Sequence, residues 1–347
     1  RRRSTLSAPR STLGRMRDLV IHNARLVDGT GAPARIADVA VDDGVIVAVE
    51  DVGSGTTARR SIDADGLLLT PGWVDVHTHY DAQASWDPYL TPSSWHGVTS
   101  VVMGNCGVGF APAAPDRHEW LIELMEGVED IPGSAMTEGI TWEWESFEEF
   151  LDALDARQYA LDLGAQIAHG PVRGYVMGDR GAANEAATPD DIAQMAAIVE
   201  SGLRAGALGF STSRTPLHKS LSGELVPGTH AGADELLGIA DALARVGHGV
   251  FQFAPDHVDV PTTEMPWMRE LARRTGRTVS VNLNQPNSAP DLWREVLDQL
   301  FQDPSLKMIL SSLCPYSLEV SGALFLALVH SASEEFYYPI GGTQALA

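Results

Sequence analysis

Two histidines one residue apart, His77 and His79, close the run Pro71-Gly-Trp-Val-Asp-Val-His-Thr-His-Tyr-Asp81. In an extended strand alternate side chains share a face about 6.6 Å apart along the chain, so both imidazoles can converge on one ion with Asp75 on the same side. A bare His-x-His also arises as ordinary strand-end polarity. The apolar residues before it and the Pro71-Gly72 entry favour the metal reading.

A second signal follows in Gly97-Val-Thr-Ser-Val-Val-Met-Gly-Asn-Cys-Gly107, where a β-branched run enters a glycine-flanked turn that carries the thiol of Cys106. Glycine lets the backbone approach a ligand closely, and a divalent cation deprotonates a neighbouring thiol. Taken alone, Cys106 reads more readily as a small buried side chain filling a strand end. Its place at the end of the next strand after His77 tilts it towards metal.

Two later strand ends carry polar groups as well. Ile167-Ala-His169-Gly-Pro-Val-Arg173 places a histidine and an arginine, and Gly209-Phe-Ser-Thr-Ser-Arg214-Thr-Pro-Leu-His218 places another pair. His169, Arg173, Arg214 and His218 are therefore candidates for shaping a substrate site. Each is weak alone; chance would scatter such groups over both ends of the strands. His257 is held in reserve, and His22, His96, His118, His230, His248 and His330 are read as structural or surface residues.

These residues need a scaffold that gathers strand ends. Residues 16–70 read as short strands around Asp28-Gly29 and Asp42-Asp43-Gly44, a hairpin signature, and predict part of a small β-sandwich. From residue 71 to about 303 single apolar strands alternate with amphipathic helices, which predicts a parallel α/β architecture. Strands are expected near 73–77, 99–103, 163–168, 207–211, 249–253 and 278–283. Helices are expected near 118–125, 146–156, 189–205, 233–246 and 265–275. Six strands fall short of the eight in a closed (β/α)₈ barrel. Residues 304–347 lose the rhythm and form an atypical C-terminal segment, and residues 1–15 are expected to be a disordered tail.

The bulk numbers bound the function. At 347 residues with 44% hydrophobic and 20% charged side chains, the chain has the composition of a globular enzyme. Its net charge is −22, and since the first 17 residues hold six arginines and no acid, the remainder is six units more negative still. Such a body repels phosphate backbones and anionic membrane surfaces, so neither nucleic acid nor membrane is expected as a partner. Two cysteines, Cys106 and Cys314, are too few for a disulfide framework and fit a reducing cytoplasm. A small-molecule substrate is expected, with homo-oligomerisation left open.

At these residues the sequence resembles the amidohydrolase superfamily, and within it the branch of D-aminoacylase and N-acyl-D-amino-acid deacylases. The likeness runs from about Asp18 to Gln299 through Asp75-x-His77-x-His79-Tyr80-Asp81, Gly104-Asn105-Cys106-Gly107, Val128-Glu129-Asp130-Ile131-Pro132, Trp144-Glu145-Ser146-Phe147, His169-Gly170-Pro171-Val172-Arg173 and Gly209-Phe210-Ser211-Thr212-Ser213. It implies a metal-dependent hydrolase built as a TIM-type (β/α) barrel, here incomplete, with a small N-terminal β-sandwich. On that resemblance His77, His79 and Cys106 match metal ligands for one or two Zn²⁺ ions, whose preference for imidazole and thiolate fits. His169 would shape the site, while Arg173 and Arg214 would pair with the carboxylate of an N-acylated amino acid.

Two departures stand out. The resemblance implies histidine ligands at the ends of the fifth and sixth strands, where this chain carries Gln252 and Asn282. It also implies a general-base aspartate at an eighth strand end, for which no residue is recognised, so the chain is expected to be a C-terminally truncated reading and its catalytic base is unassigned. Hydrolysis of linear amides is the leading expectation. Hydrolysis of a cyclic amide of the hydantoin or dihydropyrimidine type, and a binding-only fragment of the same fold, are the alternatives.

Overall fold

The computed structural model describes residues 16–50, 52, 56–256, 259–285, 289–301, 308–315, 325–331 and 334–340. The expected tail, His257 and part of the C-terminal segment lie outside these residues. The chain divides into two compact units, Arg1–Pro71 and Gly72–Ala347.

The first unit is a five-stranded sheet of β1 (Arg17–Leu26), β2 (Arg35–Asp42), β3 (Val45–Glu50), β4 (Ala58–Asp63) and β5 (Leu68–Leu69). The β2–β3 hairpin turns through Asp43 and Gly44, both at positive φ, as the Asp-Gly pair predicts. β4 and β5 run parallel to β1. Val20, Ala24, Leu26, Ala37, Val39 and Ala40 are buried.

The second unit opens with β6 (Trp73–Asp75) and β7 (Val98–Met103), followed by α1 (His118–Glu129), α2 (Gly133–Gly139) and α3 (Phe147–Asp155). Next come β8 (Asp162–Ala168), α4 (His169–Met177), α5 (Asp179–Ala182), α6 (Pro189–Ala205), β9 (Gly209–Ser213), α7 (Ala233–Val246), β10 (Val250–Ala254), α8 (Met265–Thr275), β11 (Thr278–Gln285) and α9 (Leu292–Phe301). β12 (Met308–Pro315) follows, then β13 (Phe325–Ser331) and β14 (Glu334–Ile340).

From β6 to β12 each strand pairs in parallel with its sequence neighbours. This unbroken order, with helices in the crossovers, is the succession of a (β/α) barrel, and it brings all C-terminal strand ends to one side. β13 and β14 add antiparallel pairs beyond β12.

Local chemistry explains the helices that pattern alone predicts. Ser146 caps α3 and Thr188 caps α6, each in a reciprocal box with the acid three residues on, and Pro189 sits in the first turn of α6. Apolar faces of these helices pack on the strands through Phe147, Phe150, Met195, Val199, Leu236, Ile239, Met268 and Leu271.

One expectation is corrected. The parallel succession includes β12, a seventh strand, within the segment from residue 304 on whose sequence shows no strand and helix rhythm. A strand inside a parallel sheet need not alternate, so its run of Met308 to Pro315 shows no period to find. β8 runs directly into α4, which begins at the residue after it, so no turn signal separates them.

Candidate metal centre

β6 ends at Asp75, two residues earlier than the pattern suggests, and the chain continues without regular structure past it. Thr78 holds this continuation beside β7, its backbone amide and hydroxyl both donating to Val102 O at 2.9 and 2.8 Å. His77 and His79 flank Thr78 with ring centroids 5.3 Å apart.

Cys106 reaches the same place from the end of β7. The turn that carries it needs glycine twice, since Gly104 has φ +77° with Gln166 O 2.1 Å from where a Cβ would sit, and Gly107 has φ +72° with Ser213 N at 2.8 Å. Cys106 itself is left-handed, at φ 56°. Successive elements supply the hydrogen bonds that hold this backbone. Asn105 donates to Thr78 O and Val102 O at 3.1 and 2.9 Å and accepts from Gln166 of β8 at 2.8 Å. Ser211 of β9 accepts from Gly107 N at 3.0 Å and donates to Gly104 O. Gln252 of β10 accepts from Cys106 N at 2.9 Å.

The result is a cluster in which one donor atom each from His77, His79 and Cys106 lies within 4.8 Å of the others. His77 Nε2 is 3.2 Å from Cys106 Sγ, and Asn282 Nδ2 points at the same sulfur from β11 at 3.6 Å. Burial keeps both imidazoles neutral, holding His77 well below the usual histidine range and His79 at about 4. A neutral imidazole keeps the lone pair that coordination needs. Burial, and after it the charge of Glu129, push the Cys106 thiol well up, so without a cation the sulfur keeps its proton.

A divalent ion fits these residues. Imidazole and thiol donors suit zinc-like cations, and two buried polar atoms beside them, His79 Nδ1 and Asp81 Oδ2, have no protein hydrogen-bond partner.

Glu129, the last residue of α1, was not singled out from sequence. Its Oε1 lies 3.3 Å from His79 Nε2, and burial raises its carboxyl to about 7. Asp81, two residues beyond His79, is raised by burial to about 7 as well. One signal marks Glu129: an acid at a helix C-terminus opposes the helix dipole, a placement with a local cost.

The remaining candidates separate. His218 accompanies the cluster, its charge acting on His77 while Nδ1 lies 3.0 Å from Ser213 Oγ. Arg214 follows β9, 3.4 Å from Glu264 and donating to Ala231 O at 2.6 Å. His169 and Arg173 are instead buried between α4 and α7. His169 Nε2 lies 2.9 Å from Glu235 Oε1, and Arg173 Nη1 reaches the two oxygens of Glu235 at 2.6 and 2.8 Å. Facing a substrate would require both to exchange a buried carboxylate for it.

The chain is 34% identical over 195 residues to a D-aminoacylase of Alcaligenes xylosoxydans xylosoxydans, covering 56% of this chain and 37% of that protein. An N-acyl-D-glutamate deacylase of the same organism is 30% identical over 260 residues, 75% of this chain and 48% of its own length. The chain thus spans less than half the length of these relatives. Among solved structures, a D-aminoacylase described as having a binuclear metal centre superposes with a TM-score of 0.70 at 28% identity, covering 89% of this chain and 60% of that one. An N-acyl-D-glutamate deacylase from Bordetella bronchiseptica, complexed with zinc and a phosphonate mimic of the tetrahedral intermediate, gives 0.66 at 26% identity, over 90% and 60%. A profile of the Amidohydrolase family matches residues 60–329, which take in β6 to β12 and the whole donor cluster, and on that span the chain belongs to the amidohydrolase family.

Proposed function

We propose that this chain carries the metal-binding part of the active site of a hydrolase of linear amides, with N-acyl-D-amino acids as substrates and zinc as the metal. The convergence of His77, His79 and Cys106 at the C-terminal side of the parallel strands carries the reading. Relatives that act on N-acyl-D-amino acids support the substrate class.

When bound, the ion supplies a Lewis acid for the amide carbonyl and acidifies a water. The chain's own residues hold it and arrange what surrounds it. His77 and His79 bring neutral nitrogen donors, and Cys106 binds as thiolate after its proton leaves to solvent. Glu129 Oε1, 3.3 Å from His79 Nε2, is assigned to orient that ring and leave Nδ1 as its lone-pair nitrogen. Arg214 and His218, on the loop after β9, are assigned to the substrate, with the Arg214 guanidinium facing the amino-acid carboxylate. His169 and Arg173, from α4, back the end of β9 that leads into that loop through the contact of His169 with Thr212. The residue that moves the proton is unassigned among the described residues. A reducing cytoplasm suits a thiol ligand.

The test is elemental analysis of the purified chain together with release of free amino acid from a panel of N-acyl-D- and N-acyl-L-amino acids. Bound zinc is expected, with His77→Ala and Cys106→Ser each lowering zinc affinity by more than the about 10- to 100-fold that loss of an outer hydrogen-bond partner costs. A metal-free protein whose properties His77→Ala leaves unchanged would sink the reading. Turnover of cyclic amides alone would redirect it to a hydantoinase-like reaction.

A further inference from the structure

Gln252 and Asn282 occupy the strand ends at which the resemblance implied histidines, and the structure shows what they do there. The polarity of their contacts follows from one fixed donor. The backbone amide of Cys106 can only donate, so the atom it meets at 2.9 Å is Gln252 Oε1. The other end of that amide, Nε2, then donates to Asn282 Oδ1 at 3.2 Å. Asn282 is left presenting Nδ2–H, and it points at Cys106 Sγ, 3.6 Å away. The path leaves the backbone of Cys106, crosses β10 and β11, and returns to the same residue's sulfur. Both amides are buried, Gln252 at 1% and Asn282 at 8% exposure, so water does not complete their bonding in place of these partners.

Two consequences follow. The carbonyl oxygens of Gln252 and Asn282 are each engaged by an N–H, and the group turned towards the sulfur is an N–H, whose positive end repels a cation. A second ion on the β10–β11 side of Cys106 would have to break the ring to find a donor. On the β6 side, His77 and His79 bring neutral imidazoles to the sulfur, with His77 also hydrogen-bonded to Asn282.

We propose that Gln252 and Asn282 are positioning residues for Cys106, closing a hydrogen-bonded ring from its backbone amide to its sulfur, and that this ring restricts the centre to one divalent ion held by His77, His79 and Cys106. The inference rests on reading the cluster as a metal centre, as proposed above. It would set this chain apart from the D-aminoacylase described as having a binuclear metal centre.

The experiment is equilibrium dialysis of the full chain against Zn²⁺ or Co²⁺ under reducing conditions, with bound metal counted by elemental analysis and the sulfur-to-cobalt charge-transfer band recorded. One equivalent is expected. An N–H···S bond stabilises the sulfur lone pair, so Asn282→Leu, which removes the donor at similar size, should move the band to longer wavelength and weaken Co²⁺ binding about 10- to 100-fold. The double variant Gln252→His/Asn282→His should take up a second equivalent. Two equivalents in the unaltered chain would overturn the inference and leave the metal reading standing, whereas none would overturn both. A band in Asn282→Leu that coincides with that of the unaltered chain, or a double variant that still binds one ion, also overturns it. The stoichiometry of the unaltered chain needs no variant, so the test survives a substitution that fails to fold.

Discussion

The buried contacts of Glu235 form a network whose protonation can be worked out bond by bond. Burial, and after it the positive charges of Arg173 and Arg214, hold His169 below its usual range against the opposing pull of Glu235, so the imidazole is neutral. With Nε2–H donating to Glu235, Nδ1 must accept from the Thr212 hydroxyl at 2.8 Å. Glu235 is held below its usual range by His169 and Arg173, whose pull outweighs burial, and so stays ionised beside the guanidinium. Glu235→Ala leaves that guanidinium buried without a counter-charge and should cost about 3–5 kcal/mol in denaturant unfolding. The sign with pH follows. His169 binds its proton less readily folded than unfolded, so its contribution is complete above about pH 6.5 and is lost as pH falls below that. Asp81 and Glu129 act oppositely in the metal-free protein: with carboxyls raised to about 7, they favour folding at low pH and lose that contribution as pH rises towards 7. The His169 part is therefore read as the difference between the unaltered chain and His169→Gln. A difference that does not change between pH 7 and pH 5 would refute the neutral assignment. His77, His79 and Cys106 were legible in sequence because ligand-type residues at adjacent strand ends are rare by chance. The contact of Glu129 with His79 and the bonds that join Gln252, Asn282 and Cys106 were not, because they link residues brought together only by the tertiary fold.

At the scale of elements, the caps and turns make the strongest claims. Thr188 accepts from Asp191 N while the Asp191 carboxylate accepts from Thr188 N, at 3.2 and 2.9 Å, and this opens the 17-residue α6. Thr188→Ala should cost about 1 kcal/mol in a denaturant melt. The Asp191 carboxyl lies below its usual range, chiefly through that backbone bond, so its contribution is present above about pH 4 and fades as pH falls. Gly104→Ala makes a different prediction. It forces a Cβ against Gln166 O in a left-handed backbone, which costs about 1–3 kcal/mol from backbone strain alone and displaces Cys106. It should lower both the unfolding midpoint and the uptake of metal; a variant that binds zinc normally would show that the turn tolerates movement. α6 was readable from period and cap and α7 from period, because these signals lie within the segment itself. α4 was not, since it starts where β8 ends, and neither was β12, whose pairing with β11 is a tertiary fact.

For the whole molecule, the two compact units and the location of the donors combine into one thermal prediction. All three ligand candidates belong to Gly72–Ala347, and the first unit buries its own residues around Val20, Ala24 and Val39. A ligand that binds only the folded state stabilises by RT ln(1 + [L]/Kd), about 2.7 kcal/mol at a free concentration of 100 Kd. Zinc should therefore raise the calorimetric transition of the larger unit, and chelation should lower it, with the transition of the smaller unit holding its temperature. Cys106→Ser should abolish the zinc-dependent shift while leaving the chelated midpoint close to that of the unaltered chain, since the thiol makes no strong hydrogen bond that the hydroxyl cannot replace. If both transitions move together, the units unfold as one and the metal stabilises the chain as a whole. If neither moves, the three donors do not form a site. The acidic charge of −22, read directly from sequence, sharpens the test: it attracts divalent cations generally, so the shift must be repeated at high ionic strength, where diffuse attraction is screened and three-donor coordination is not.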